Sequence, residues 1–173
     1  MDSSRTITRT IFSVLFLWLH AGYSADVPDF RDFPVTNIFH GKPAAPILRA
    51  QGERLFRTRI REGAKEGPNF AGRYTIATWG CGSACASLVV IDAKTGVVHK
   101  GPFGVLGHFW TGRYYGDVPG KEAPYIDYQL NSRLLIVRGC PEDEDEKCAT
   151  YFYEWNGQLF KLLQTIPVNR SSN

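Results

Sequence analysis

Four cysteines limit most strongly what this chain can fold into. Cys81 and Cys85 sit in the run T-W-G-C-G-S-A-C-A-S-L-V-V (78–90), and Cys140 and Cys148 bracket the acidic run P-E-D-E-D-E-K (141–147). If Cys81 faces Cys85 across a hairpin, Trp79 meets Ser87, Ala77 meets Val89 and Thr75 meets Ile91. On the other face Thr78 meets Leu88, Ile76 meets Val90 and Tyr74 meets Asp92. Both faces are largely apolar, as a covered pair of strands requires, and a slip by one residue would exchange them. If Cys140 faces Cys148, Ile136 meets Phe152, Val137 meets Tyr151, Leu135 meets Tyr153 and Arg133 meets Trp155. Aromatic–aliphatic pairs of this kind stabilise a sheet by about 0.2–1 kcal/mol each. The two short loops, closed by disulfides, would contribute about 2 and about 2.5 kcal/mol by restricting the unfolded chain. Sequence does not settle connectivity, and the crossed pairings 81–140 and 85–148 stay open.

The N-terminus says which redox compartment to expect. Arg5 and Arg9 precede an apolar run from Ile11 to Leu19, followed by the small-residue stretch Ala21-Gly22-Tyr23-Ser24-Ala25. This is the pattern of a cleaved secretory signal over 1–24, with Gly22 and Ser24 at the two positions that need small side chains. The apolar run is about half the roughly 20 residues of a membrane span, so no stable span is expected after cleavage. Loss of Arg5, Arg9 and Asp2 removes two positive charges and one negative, taking the net charge from +3 to +2. So small an excess does not call for nucleic acid. The expected location is periplasmic or secreted, and an even cysteine count there favours disulfides over metal or free thiols.

The organisation expected for the remainder is an extended N-terminal arm, 25–46, and a single domain, 47–173. The arm is rich in proline and phenylalanine. Over 47–64 the spacing of Leu48, Leu55, Phe56 and Ile60 predicts one helix packed on the sheet. Arg54, Arg57 and Arg61 lie on another, solvated face. From Arg73 onward, short Val-, Ile-, Tyr- and Thr-rich runs predict strands near 73–80, 86–92, 97–103, 109–115, 124–130, 133–139, 149–155 and 158–165. Turn signals at Asp92-Ala93-Lys94-Thr95-Gly96, Asn131-Ser132 and Asn156-Gly157 separate several of them. The expected class is α+β, mainly β: an antiparallel β-meander of about seven or eight strands with one N-terminal helix, able to close partly into a barrel.

No motif announces an enzyme. Cys81-x₃-Cys85 fits a zinc knuckle loosely, but the second pair is no knuckle, so no metal is expected. A redox pair is normally C-x-x-C at a helix start, and this one lies between strands. Ser83 is not in a nucleophile elbow, because cysteines occupy the glycine positions. His40, His99 and His108 have no metal-binding spacing, and no cofactor is expected. The runs N-F-A-G-R-Y (69–74), W-G-C-G-S-A-C (79–85) and D-A-K-T-G (92–96), with Y-E-W-N-G-Q-L (153–159) more weakly, resemble a family of small exported bacterial proteins. That family carries an N-F-A-G-x-Y…W-G-C-G-x-x-C…D-x-x-T-G signature and has no assigned activity. The resemblance implies a β-rich periplasmic or secreted domain and no catalytic residues. The second cysteine pair lies outside the signature.

Two regions remain as sites. Glu142, Asp143, Glu144, Asp145 and Glu146 repel one another and suit a basic protein partner; no glycine-turned loop orders them for calcium. The aromatic, glycine-rich stretch 103–117 offers His108, Trp110, Arg113, Tyr114, Tyr115 and Asp117 as a groove. The reading is an exported, non-enzymatic binding protein, inhibitor- or immunity-like, recognising a protein or a cell-envelope component. The alternative is a small envelope hydrolase or ligand-binding protein using 103–117.

Overall fold

The computed structural model describes residues 26–107 and 125–167. They form a mainly β domain with strands β1 (Tyr74–Gly82), β2 (Cys85–Asp92), β3 (Val98–Lys100), β4 (Leu106–Gly107), β5 (Ile126–Tyr128), β6 (Leu134–Pro141), β7 (Ala149–Trp155) and β8 (Phe160–Pro167). All ladders are antiparallel. The β1–β2 register is Tyr74↔Asp92 through Gly80↔Ala86, as expected, but an irregularity between Gly80 and Gly82 then makes Gly82, not Cys81, the partner of Cys85. The β6–β7 register pairs Leu135 with Tyr153, Ile136 with Phe152 and Val137 with Tyr151. Both disulfides are local, Cys81–Cys85 and Cys140–Cys148.

The strand order corrects the simple meander. β2 pairs β3 at its far end and β4 at its start, while β6 pairs β5 over Leu135 to Val137 in its first half and β4 at its end. The sheet is therefore two halves, β1–β2–β3 and β5–β6–β7–β8, joined through the two residues of β4. Gly101, Pro102 and Gly104 end the strand expected over 97–103 after Lys100, and the chain re-enters the sheet at Leu106. The expected strand 109–115 lies outside the described residues. Among the described residues the sheet does not close into a barrel: its main strand path starts at β1 and ends at β8. The β1 edge is masked by the Asn69 side chain, which donates to Ile76 O (3.1 Å) and accepts from Ile76 N–H (2.8 Å).

Three apolar clusters explain the layers. Tyr74, Ile76, Leu88 and Val90 from one half meet Leu135, Val137, Tyr153 and Trp155 from the other, around Phe70 and Leu106. The opposite face of the first half, Ala77, Val89 and Ile91, is covered by Ile60 and Ala64. The opposite face of the second half, Leu134, Ile136 and Phe152, is covered by Phe30 and Phe33. Residues 30–47 cross both halves, with Val35 N–H donating to Asn131 O (2.8 Å), Phe39 to Gly72 O (2.8 Å), Ala44 to Ala93 O (2.8 Å) and Ile47 to Gly96 O (2.7 Å). Gly96 permits this crossing twice over: its φ is +77°, and a Cβ there would lie 2.2 Å from Ala45 O.

The single helix expected over 47–64 is instead two short ones, α1 (Gln51–Leu55) and α2 (Arg57–Lys65). Phe56, at φ −99° and ψ 20°, breaks the helix between them. The break turns Leu55 out to 73% exposure, against the predicted apolar face, while Ile60 and Ala64 remain buried. α2 then seats closely on β1, where a Cβ on Gly63 would come within 2.5 Å of Ala77 Cβ.

Candidate functional site

Both disulfides lie at one end of the sheet, on either side of β4: Gly107 pairs with Cys85 on one edge and with Cys140 on the other. The chain leaves β6 through Glu142 (φ +59°) and Asp143 (φ +60°), two left-handed residues in succession without glycine. Left-handed backbone costs a non-glycine residue about 1–2 kcal/mol, so other contacts must offset it. Glu142 N–H donates to Val105 O (2.7 Å), and its carboxylate accepts Gly104 N–H (2.8 Å). Asp143 N–H donates to Cys140 O (3.1 Å). A 3₁₀ turn, Asp145–Lys147, then carries the chain to Cys148, whose disulfide closes the hairpin. Lys147 Nζ reaches Glu144 Oε1 at 2.8 Å, and that hydrogen bond raises the lysine pKa. Glu142 through Lys147 are all exposed. The tip is thus a rigid, acidic knob. Cys140 Sγ, Cys148 Sγ and an Asp145 oxygen lie close together, but the disulfide leaves no thiolates to ligate a metal.

A cleft of about 580 Å³ opens beside this knob. It lies between the α1–α2 junction, the outer face of β1–β2–β3, loop 101–104 and Glu142. Phe56 and Trp79 form one wall, stacked with ring centroids 4.9 Å apart. Ser87 Oγ donates to Gly104 O (3.0 Å) and ties the loop down. Two carboxylates line the cleft, Glu142 and Glu53, with Lys100 as the opposing charge. Glu53 also accepts the backbone N–H groups of Arg49 and of Ala50 (2.9 Å for the latter), which fixes the start of α1. Trp79 Nε1 is buried and finds no acceptor among the described residues.

Away from this end, the His99 ring packs edge-on against Trp155 (5.3 Å) and Tyr74 (6.3 Å). Burial lowers the His99 pKa, against a smaller opposing pull from Asp92. The Tyr153 phenol is pushed up to about 12, first by burial and then by Tyr151. Asp127 and Arg138 stand 3.8 Å apart, and burial shifts each toward its neutral form. Tyr153, Asp127 and Arg138 lie within or beside the packed sheet, while His99 also contributes to the lining of the cleft.

The structure places the sequence-derived candidates unevenly. Glu142 to Glu146 are together at the tip. Of the 103–117 stretch, Phe103 is buried and Leu106–Gly107 is β4; His108, Trp110, Arg113, Tyr114, Tyr115 and Asp117 lie outside the described residues. Arg54, Arg57 and Arg61 are exposed. The signature motifs do structural work: Phe70 is core, Asn69 masks an edge, and Asp92 holds Arg73 at 3.1 Å and caps Lys94 N–H at 2.9 Å. Sequence reasoning missed the cleft. Its only local signal is that Trp79 and Ser87 fall opposite each other on the face that α2 covers. Comparison with known proteins finds no matching family model, no matching curated protein and no matching solved structure, so the chemistry of the knob and cleft carries the functional reading.

Proposed function

We propose that this chain is an exported, non-catalytic binding protein that docks a basic protein partner on the acidic knob, as an inhibitor or immunity-type protein would. The observation that carries this reading is the knob itself: Glu142 to Glu146 are all exposed, on a hairpin closed by Cys140–Cys148 and tied to loop 104–105. Like charges gathered on a rigid support raise the local field and steer an oppositely charged partner, which acts chiefly on the association rate. Preorganisation also spares the ordering cost that a flexible acidic loop would carry on binding. Two disulfides suit an oxidising compartment, and the signature's likeness to exported bacterial proteins points the same way. No helix among the described residues is long and apolar enough to cross a membrane.

The test neutralises charge while keeping shape: Asp143→Asn, Glu144→Gln, Asp145→Asn and Glu146→Gln together, leaving Glu142 to hold Gly104. Association with an immobilised lysine-rich peptide is followed at low and at high salt. The quadruple variant is expected to associate about tenfold more slowly at low salt, and high salt should abolish the difference. Equal rates for the two proteins at low salt would overturn the proposal.

A further inference from the structure

The cleft beside the knob has a composition that the docking role alone does not use. Its aromatic wall is preformed: Phe56 and Trp79 are stacked on each other and packed against the cluster of Ile60, Ala64, Ala77, Val89 and Ile91, of which Ile60 and Val89 also line the cleft. The carboxylates of Glu53 and Glu142 line it, each anchored by backbone N–H groups. A carboxylate accepts about four hydrogen bonds, so each retains capacity for a further donor. At about 580 Å³ the cleft falls within the range of about 300–1,000 Å³ that holds ligands. An apolar wall with carboxylates suits an alkyl stem that ends in a cation, which lays its methylenes on the rings and keeps its charge at the rim.

We infer that the cleft receives one lysine or arginine side chain of the basic partner, its stem along Phe56 and Trp79 and its charged head at Glu142 and Glu53. The occupant is argued from charge: the knob that borders the cleft at Glu142 carries five carboxylates against the single cation Lys147, so the residues presented to the cleft come from a basic surface. This inference rests on the docking role proposed for the knob. It adds a specificity element, because long-range attraction does not select one residue, whereas a lined cleft does. Lys100, exposed on the β3 wall, opposes the incoming cation.

The test follows indole N–H resonances of the ¹⁵N-labelled, oxidised protein while a lysine-rich decapeptide is titrated in. The Trp79 signal is assigned by its loss in Trp79→Phe; should that variant fail to fold, contacts to the Phe56 ring assign it instead. The Trp79 resonance is expected to move in step with binding while that of Trp155 stays in place. Lys100→Ala, a surface change, should tighten binding about threefold. Peptide binding that depends on the knob carboxylates but leaves Trp79 stationary, or an affinity unchanged by Lys100→Ala, overturns the cleft assignment and leaves the docking role standing. Absence of peptide binding overturns both.

Discussion

The two tips are each closed by a local disulfide and are otherwise unlike. At the β1–β2 tip, Gly80 to Ser83 are exposed and Cys85 is half-buried. The tip projects, and only its base is held, where Cys85 pairs with Gly107 of β4. At the β6–β7 tip, Cys140 is fully buried, Glu142 is tied to Gly104 and Val105, and a Cβ on Gly107 would meet Asp143 Oδ1 at 1.8 Å. That tip is clamped onto the strand that joins the two half-sheets. The lesson is that a staple's effect depends on what its loop touches as well as on loop length.

The largest expected effect tests that difference directly. Replacing Cys140 and Cys148 with alanine should cost about 3–4 kcal/mol, from lost chain restriction and from emptying a buried site. Replacing Cys81 and Cys85 should cost about 2 kcal/mol. Urea unfolding of the two double variants measures both, and equal losses would break the comparison.

Next come two glycines. Gly107→Ala drives a methyl group into Asp143 and should cost about 1–3 kcal/mol while unseating the knob. Gly80→Ala, whose added Cβ would lie 3.8 Å from Cys85 O, should change stability by no more than about 0.5 kcal/mol. Thermal melts of the pair sharpen the contrast; a neutral Gly107→Ala would show that the knob is not clamped.

The smallest effect is expected at the opposite end of the sheet. His99 is held below its ordinary pKa by burial, so the folded state favours the neutral ring and the unfolded state binds more protons. Stability from this site is then full above the unfolded value of about 6.5 and declines as pH falls through and below it. A stability profile between pH 7.5 and 5 should flatten slightly in His99→Gln. The same profile in the Cys81/Cys85 variant should keep the wild-type slope, since that tip is remote from the ring.

Much of the β structure was legible because it is local. The registers of β1–β2 and β6–β7 follow from two cysteine spacings and period-two alternation, and β7 runs over the expected 149–155. The sequence predicts one helix because the apolar spacing of Leu48, Leu55, Phe56 and Ile60 looks continuous, while α1 is capped by Glu53 and breaks at Phe56 so that α2 alone seats on β1 through Ile60 and Ala64. The acidic knob could be named from composition. That Glu142 and Asp143 adopt left-handed backbone and fold back onto loop 104–105 could not, because the partner groups lie about forty residues earlier in the chain.

What the sequence by itself determined is the pairing of neighbours: two hairpins, their faces and the charge at one tip, while the structure decided between local and crossed disulfides. Alternation and turn chemistry act over a few residues, so local pattern is enough. The tertiary structure alone decided that the two-residue strand β4 joins the halves, that residues 30–47 cross both, and that Phe56, Trp79, Glu53 and Glu142 border one cleft. Those contacts join residues far apart in sequence, and their stability comes from packing and hydrogen bonds that exist only once the two half-sheets have packed together with Leu106 between them.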